Sequence, residues 1–540
     1  MMSNKSDQGT SSLLVSYTGC PRNLTNLYPD NGLANLAACL IANGHKTKIL
    51  DYGTVETMRL MSSGVIGRWL KKIYTKRGKI GGKTQLFFIK KVLVIFRKRF
   101  ENKTAKDILN IIKSERIDFI GFKLFVGDGF RGSISMAKKI KRKYPKVRIF
   151  AGGPTVDICC EHIYREFDGF DALAYGEGEE TIVMLAEFVQ GRVELEKIPN
   201  LIIRRDGKII TTSAKRVENL NNLPFPVYDE DVYLSMRGNK KVKAIVFDES
   251  RGCPYRCAFC NHREKSGTFT RTKTAKRIVD EMEFIIKKYG ISSFRFAGSN
   301  PPPKLMESIA EEIMKRGLKV YYHFMARVNF SKEEMFHKMK KAGAVSVLFG
   351  IESGSQYLLD KINKNCKVNQ IKTAVKAAKK AGLFVIGSFI FPLPFENDST
   401  KEETINLVKE LKLDGFFINP PGVFPGTEWA KDPDKYNIEM SASPAEFAKC
   451  WMYIDIDSAS GFLPGRFNGK DYKEISIEKR NFVKVLIKEG LFRTAGEDGT
   501  LLSHKIGILP EEFSHLLNPL FFSGDYVAIS QILKRLNKPL

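Results

Sequence analysis

The sequence predicts an α/β protein in which a Rossmann-like, doubly wound sheet precedes an incomplete (β/α)6 barrel and a small C-terminal domain. Short apolar runs alternate with helical patterns over residues 13–190, which is typical of a parallel sheet with helices on both faces. The alternation returns over residues 242–418 with six candidate strands, as expected for a partial TIM barrel. A chain of 540 residues is also too long for a single hydrophobic core.

The first domain is predicted to cover residues 1–195. Residues 55–105 interrupt its alternation with a basic insertion that we interpret as helical. Residues 196–240 read as a connector that contains a small hairpin. The candidate strands are residues 13–17, 47–50, 118–122, 147–151 and 172–175, and the candidate helices are residues 31–43, 129–144 and 180–189.

Glycine residues mark the helix ends in the predicted barrel, residues 241–430. Gly290, Gly317, Gly343 and Gly382 each follow a helical pattern, with a lysine two positions earlier. Glycine accepts the left-handed conformation that ends a helix, and a cation favours the last helical turn. Residues 431–540 carry no motif, and we interpret them as a C-terminal domain that is a candidate for substrate binding.

Positive charge is concentrated in one part of the chain. The net charge is +27, and residues 71–150 hold 24 Lys or Arg against 5 Asp or Glu. Such an excess suits an anionic partner, namely a phosphate-bearing cofactor, nucleic acid or a membrane surface. We favour a solvated basic face and disfavour nucleic acid, because the lysines follow ordinary amphipathic patterns without interleaved stacking aromatic residues.

The composition favours a cytoplasmic protein. Nine cysteines in a chain of this length are too few for a disulfide scaffold. The first ten residues are polar and lack the apolar core of a signal peptide, and no apolar run is long enough to span a bilayer.

Three cysteines follow the first barrel strand with the spacing C-x3-C-x2-C, namely Cys253, Cys257 and Cys260. Three thiolates on one short loop can take three irons of a cubane cluster and leave the fourth iron open to a chelating ligand. The alternative is a structural zinc site completed by His262. We disfavour it because the loop follows a strand and opens a barrel pattern.

This spacing, with Phe259 before the last cysteine, resembles the signature of the radical S-adenosylmethionine (SAM) superfamily. The resemblance implies a [4Fe-4S] cluster whose open iron binds SAM and reduces it to methionine and a 5′-deoxyadenosyl radical. It makes the three cysteines the catalytic and metal-binding residues and implies an electron donor such as flavodoxin or ferredoxin.

Other predicted strand ends resemble segments that hold SAM in this superfamily. Residues 350–355 match the segment G-I-E-S-G-S, and residues 326–328 match A-R-V. After the second strand, relatives carry a Gly-Gly-Glu segment, whereas residues 298–301 contain no carboxylate. The SAM contacts that the resemblance implies are Phe259, Gly298, Ser299, Asn300, Arg327, Glu352 and Ser353.

A doubly wound sheet before such a barrel resembles the cobalamin-binding subgroup of this superfamily, over roughly residues 13–430. Glycines at strand ends allow the backbone to approach a ligand closely. The motif D-x-H-x-x-G is absent from the sequence, so we expect no protein histidine on the cobalt. The alternative is a sheet that has lost cobalamin or binds another nucleotide. The implied contacts are Asp51, Gly152, Gly153, Pro154, Thr155, Gly176 and Glu177.

The favoured function is a cobalamin-dependent radical SAM methyltransferase that methylates an unactivated carbon of a small-molecule or peptide substrate through methylcobalamin. A second hypothesis is ring formation or rearrangement with the same cofactors and no methyl transfer. A third is a tRNA methylthiotransferase-like enzyme, although Cys20, Cys39, Cys159 and Cys160 do not match the spacing of its second cluster. A fourth is a non-catalytic binding protein that responds to cobalamin and redox state.

Overall fold

The computed structural model describes residues 9–61, 83–298, 300–330, 332–454, 465–494 and 496–539, with the backbone alone for residues 83–93 and 330. Two large sheets, one mixed and one parallel, dominate this part of the chain. None of its helices is both long enough and apolar enough to cross a bilayer.

The first sheet has seven strands in the order β2-β1-β3-β4-β5-β6-β7. The first five strands are parallel, and the last two form an antiparallel hairpin on the edge beside β5. The predicted doubly wound sheet is therefore confirmed, and it continues past residue 195. Its strands are β1 (Ser11–Ser16), β2 (Lys46–Asp51), β3 (Phe119–Lys123), β4 (Arg148–Gly152), β5 (Ala172–Ala174), β6 (Leu201–Arg205) and β7 (Lys208–Thr211).

Helices cover both faces of this sheet. Helices α1 and α6 share an apolar core with the barrel, whereas α3 and α4 pack on a second core. The helical interpretation of residues 55–105 holds for α2 and α3, and residues 62–82 lie outside the described part. The helices are α1 (Asn31–Ala42), α2 (Val55–Met61), α3 (Lys83–Glu115), α4 (Asp128–Lys143), α5 (Pro154–Cys159) and α6 (Glu179–Val189).

The second sheet has six parallel strands in the order β15-β14-β13-β12-β11-β8, and among the described residues its two edge strands do not pair. This arrangement confirms the partial barrel. The four predicted stop glycines all have positive φ, between 63° and 99°. The strands are β8 (Ile245–Phe247), β11 (Ser293–Phe296), β12 (Tyr321–Ala326), β13 (Ala344–Glu352), β14 (Phe384–Ile390) and β15 (Gly415–Asn419), with a small ribbon of β9 (Ser250–Arg251) and β10 (Arg271–Thr272) after β8.

Helices surround the barrel and build most of the C-terminal tail. Those of the barrel are α7 (His262–Ser266), α8 (Ala275–Tyr289), α9 (Pro303–Lys315), α10 (Glu333–Lys341), α11 (Gln356–Lys361), α12 (Val368–Lys380) and α13 (Asp398–Leu411). Those of the tail are α14 (Glu428–Lys431), α15 (Pro444–Met452), α16 (Tyr472–Lys488), α17 (Glu497–Lys505), α18 (Pro510–Ser523) and α19 (Tyr526–Leu536).

The tail packs against both sheets. Phe447 and Phe467 share an apolar cluster with Phe122 of the first sheet, and Leu533 packs in a cluster with Leu27 and with residues that precede the barrel. The buried side chains of the tail therefore join the core of the first sheet in one place and supply much of the second cluster themselves.

Helix α17 lies against strands β11, β12 and β13 of the barrel and meets charged residues on them. Glu497 is 3.1 Å from the Arg295 guanidinium, and Ser346 Oγ lies 2.8 Å from His323 Nδ1. Burial lowers the pKa of His323 to about 3, so its imidazole is neutral. These contacts close the interior of the barrel below the catalytic end of the strands.

Candidate active site

A large interdomain cavity lies between the carboxyl ends of the first sheet and the first strands of the barrel. Its volume is about 1400 Å³ including the part open to solvent, which exceeds a pocket for a drug-sized ligand. Residues that line it from the first sheet include Gly121, Lys123, Gly152, Gly153, Tyr175, Gly176 and Glu177, and those from the barrel include Asp248, Ser250, Arg251, His262 and Ala297.

Glycines form much of one wall of the interdomain cavity. A Cβ atom on Gly152 would lie 3.3 Å from the carbonyl oxygen of Ala174, and one on Gly121 would lie 3.0 Å from Leu14. Gly153 has a φ of +96°, a conformation that other residues rarely adopt. The backbone itself is therefore the surface that a large ligand would meet.

Three predicted contacts lie away from this wall. The Asp51 carboxylate is buried 2.7 Å from the Lys241 ammonium and accepts a hydrogen bond from the Tyr233 hydroxyl at 2.5 Å. Pro154 is exposed at the start of α5, and Thr155 is buried behind it. The Asp51 carboxylate therefore fastens the end of the connector and the residue after it to the first sheet, and its contact with cobalamin stays a prediction.

A network of ion pairs joins the two parts of the protein beside the interdomain cavity. The Glu177 carboxylate lies 2.6 Å from Arg271, and Glu179 lies 2.6 Å from Arg251. Burial opposes ionisation of Glu177, but the Arg271 hydrogen bond and the Arg251 charge together lower its pKa. Glu177 lines the interdomain cavity, but its carboxylate is engaged in the ion pairs that join the two parts of the protein.

A second cavity, of about 890 Å³, contains the three motif cysteines. Backbone hydrogen bonds fix their loop, from Cys253 to Gly267 at 3.0 Å and from Ala258 to Ile362 at 2.9 Å. Burial raises the pKa of the Cys260 thiol. The other residues that line this cluster cavity include Tyr255, Phe259, His262, Arg327, Gly350, Glu352, Lys364 and Ser388.

The donor set of this cavity fits an iron–sulfur cluster. Three thiols line one wall, and a cubane takes one thiolate on each of three irons. In the described part of the chain, no three His, Cys, Asp or Glu side chains are grouped so that they could hold one metal ion.

Two cations face the thiols. Arg327 Nη1 lies 3.8 Å from Cys257 Sγ, and its guanidinium stacks 3.5 Å from the Tyr255 ring. Lys364 Nζ lies 5.8 Å from the Phe259 ring and 2.7 Å from Glu352 Oε1. Fixed positive charge at this distance would partly balance the negative charge of three thiolates that bind iron.

Glu352 occupies a strained position on the cavity wall. Its φ is +67°, and the pairing of β13 with β14 shifts register between Gly350 and Glu352. A left-handed conformation is unusual for this residue type and is often found at ligand sites. Ser353 is buried behind the wall, with its hydroxyl 3.2 Å from Thr404, so the structure does not bring it to the cavity.

The segment after the second barrel strand packs against a carboxyl group that the sequence did not single out. Gly298 donates a hydrogen bond to the fully buried Glu249 at 3.1 Å, and a Cβ atom on Gly298 would lie 2.0 Å from that carboxylate. Burial raises the pKa of Glu249 to about 7. Asn300 lies in a small cleft with Arg327, and Ser299 lies outside the described residues.

His262 lines both cavities. It is the first residue of α7, and its backbone N–H donates to Cys260 Sγ at 3.4 Å. The cluster cavity and the interdomain cavity therefore meet at this side chain.

Comparison with known proteins supports a chain built from these two domains. The radical SAM superfamily model matches residues 250–408, and the B12 binding domain model matches residues 94–186. An uncharacterized methyltransferase of Pyrococcus horikoshii is 32% identical over 335 residues, which cover 61% of this chain and 72% of that protein. The chain belongs to the cobalamin-binding radical SAM methyltransferase family. This enzyme accordingly uses a [4Fe-4S] cluster, SAM and cobalamin.

This radical SAM enzyme is also similar to a cyclase and to a methyltransferase of known structure. The anaerobic magnesium-protoporphyrin IX monomethyl ester cyclase of Rubrivivax gelatinosus is 28% identical over 295 residues, and the match spans about half of each chain, 52%. The methyltransferase TsrM of Kitasatospora setae, solved with cobalamin and a [4Fe-4S] cluster, superposes with a TM-score of 0.63 over 96% of this chain and 99% of that chain, at 16% identity. This likeness confirms the predicted fold class.

Proposed function

We propose that this enzyme methylates an unactivated carbon of a small-molecule or peptide substrate. The observation that supports the proposal most directly is the shared wall at His262. A substrate bound there would be open to the cluster cavity on one side and to the interdomain cavity on the other. When bound, SAM at the cluster supplies a hydrogen-abstracting radical, and cobalamin supplies the methyl group.

In this proposal the residues of the cluster cavity would bind the iron–sulfur cluster and orient SAM. Cys253, Cys257 and Cys260 would hold the irons, and Arg327 would balance the negative charge of the thiolates. Glu352 would present its carboxylate to SAM from its strained position, while Lys364 fixes the direction of that carboxylate. The electron for the cluster would come from a flavodoxin or ferredoxin in the cytoplasm.

The glycine wall would bind cobalamin. We expect Gly152→Val to lower cobalamin retention about tenfold or more, because the new side chain would enter the space that the ligand needs and meet the Ala174 carbonyl. Absorbance of the protein reconstituted with hydroxocobalamin and desalted measures the retained cofactor. Iron content of the same sample is the control, since Gly152 lies outside the cluster cavity. Equal retention by variant and parent would contradict this assignment.

The function is tested by anaerobic reconstitution with iron, sulfide and hydroxocobalamin, followed by SAM and a strong reductant. A methyltransferase releases S-adenosylhomocysteine as well as 5′-deoxyadenosine, and mass spectrometry separates the two. The similarity to the cyclases favours a second candidate, ring formation without methyl transfer. Deoxyadenosine without S-adenosylhomocysteine would support that candidate, and no cleavage of SAM would support a binding protein.

A further inference from the structure

A strongly basic surface lies on the first sheet, away from both cavities. Between Glu56 and Glu101 the sequence has thirteen Lys or Arg and no Asp or Glu. We define the basic face by the exposed cations of α3 after residue 93, of α4 and of the turn after α4. They are Lys98, Arg99, Lys103, Lys106, Lys113, Lys138, Arg142, Lys143 and Lys146, and no described Asp or Glu lies within ion-pair distance of any of them.

The packing of α3 turns these charges outward. Phe100, Ile108 and Ile112 are buried on its inner side, so Arg99 and Lys106 project from the opposite side. Helices α3 and α4 lie side by side on the face of the sheet that α1 and α6 do not cover. The charges therefore form one surface.

A cleft between α3 and α4 gives this surface a place for an anionic group. Its volume is about 680 Å³ with the part open to solvent, and it is lined by Lys106, Lys139, Arg142 and Lys143 together with Asn102. Four cations around one concave surface suit a phosphate group.

Apolar side chains accompany the charges. Val94 and Ile95 are 36% and 51% exposed, one turn before Lys98 and Arg99 on the same helix. Helices that lie in the membrane interface combine exposed apolar side chains with lysine and arginine in this way. A nucleic acid would gain nothing from exposed Val and Ile, since it is bound by cations with stacking aromatic rings.

We propose that the basic face docks this enzyme on the surface of an anionic lipid bilayer, with phospholipid phosphates in the cleft and Val94 and Ile95 at the level of the headgroups. The attachment is peripheral, since no helix of the described chain can cross a bilayer. Anionic bilayers attract clustered Lys and Arg within about a Debye length. The proposal does not depend on the reaction that the enzyme catalyses.

Sedimentation with lipid vesicles tests the proposal. The full-length protein is mixed with phosphatidylcholine vesicles or with vesicles that also contain phosphatidylglycerol, at low and at high salt. We expect binding to the anionic vesicles alone, weakened by salt. The variant K98E/R99E/K106E/R142E should bind at least about a hundredfold more weakly, because it removes four cations from the surface that meets the lipid phosphates and adds four anions.

A matched control carries the same charge change on the outer helices and loops of the barrel, K304E/K319E/K341E/K376E, where the four lysines are exposed and free of described ion pairs. It should bind like the parent protein. Ile95→Asp should weaken the binding that survives at high salt. Absence of binding to anionic vesicles, equal losses in both quadruple variants, or retention by RNA but not by vesicles would each overturn the proposal.

Discussion

Replacing Cys257 with alanine is expected to remove the iron–sulfur absorbance of the reconstituted enzyme and to lower 5′-deoxyadenosine formation by about a thousandfold or more. One iron of the cubane would lose its thiolate, and the remaining cysteines offer no substitute within the loop. Arg327, which lies 3.8 Å from the Cys257 sulfur, would then face the cavity without the negative charge that it balances. Iron analysis and product quantification by mass spectrometry measure the two effects.

Cys450→Ala is the control for this prediction. Cys450 is a partly buried free thiol on α15, so its removal tests the chemistry of thiol loss without touching the cluster loop. We expect its cluster content and SAM cleavage to match those of the parent. A Cys257→Ala protein that keeps a full complement of iron would show that this residue is not a ligand.

The sequence was most informative where local chemistry determines structure. The spacing of Cys253, Cys257 and Cys260 requires only a short loop, and the structure places all three on one cavity wall. The stop glycines are local as well, since a positive φ at Gly290 follows from the end of α8 itself. Gly152 and Gly153 could be predicted to lie at a ligand because the sequence shows a glycine pair at the end of an apolar strand.

Such local patterns could not predict contacts between distant parts of the chain. Lys364 lies twelve residues after Glu352 in a loop without a motif, and only the folded barrel brings its ammonium to the carboxylate. Glu249 shortly precedes the cysteine loop, but the hydrogen bond to its carboxylate comes from Gly298, which follows the second barrel strand. The ion pair of Asp51 could not be predicted for the same reason, because its partner Lys241 lies far along the chain, directly after the connector.

Lys364→Met is expected to destabilise the barrel by about 3–5 kcal/mol, because removal of one partner leaves the other charge buried and unpaired. The side chains of Lys364 and Glu352 are only 10% and 8% exposed, and their charged atoms are 2.7 Å apart. Burial opposes the charge on Lys364, but the charge of Glu352 raises its pKa above the ordinary value. Because the raised pKa keeps Lys364 charged at neutral pH, its contribution to stability is present there and is lost only at strongly alkaline pH. Denaturant unfolding of the barrel, followed by fluorescence, measures the change.

The double variant E352Q/K364M separates the ion pair from the packing of its two side chains. With neither charge present, no uncompensated charge remains buried, so the double variant should be more stable than Lys364→Met alone. Lys361→Met, an exposed lysine on the preceding helix, should leave stability within about 0.5 kcal/mol of the parent. SAM cleavage by the double variant should be lower than that of the parent, because the carboxylate that faces the cluster cavity is missing. The losses of stability caused by Glu352→Gln and Lys364→Met alone could instead add up in the double variant. That result would mean that the two residues are energetically independent and would contradict the view that Lys364 holds the strained glutamate in place.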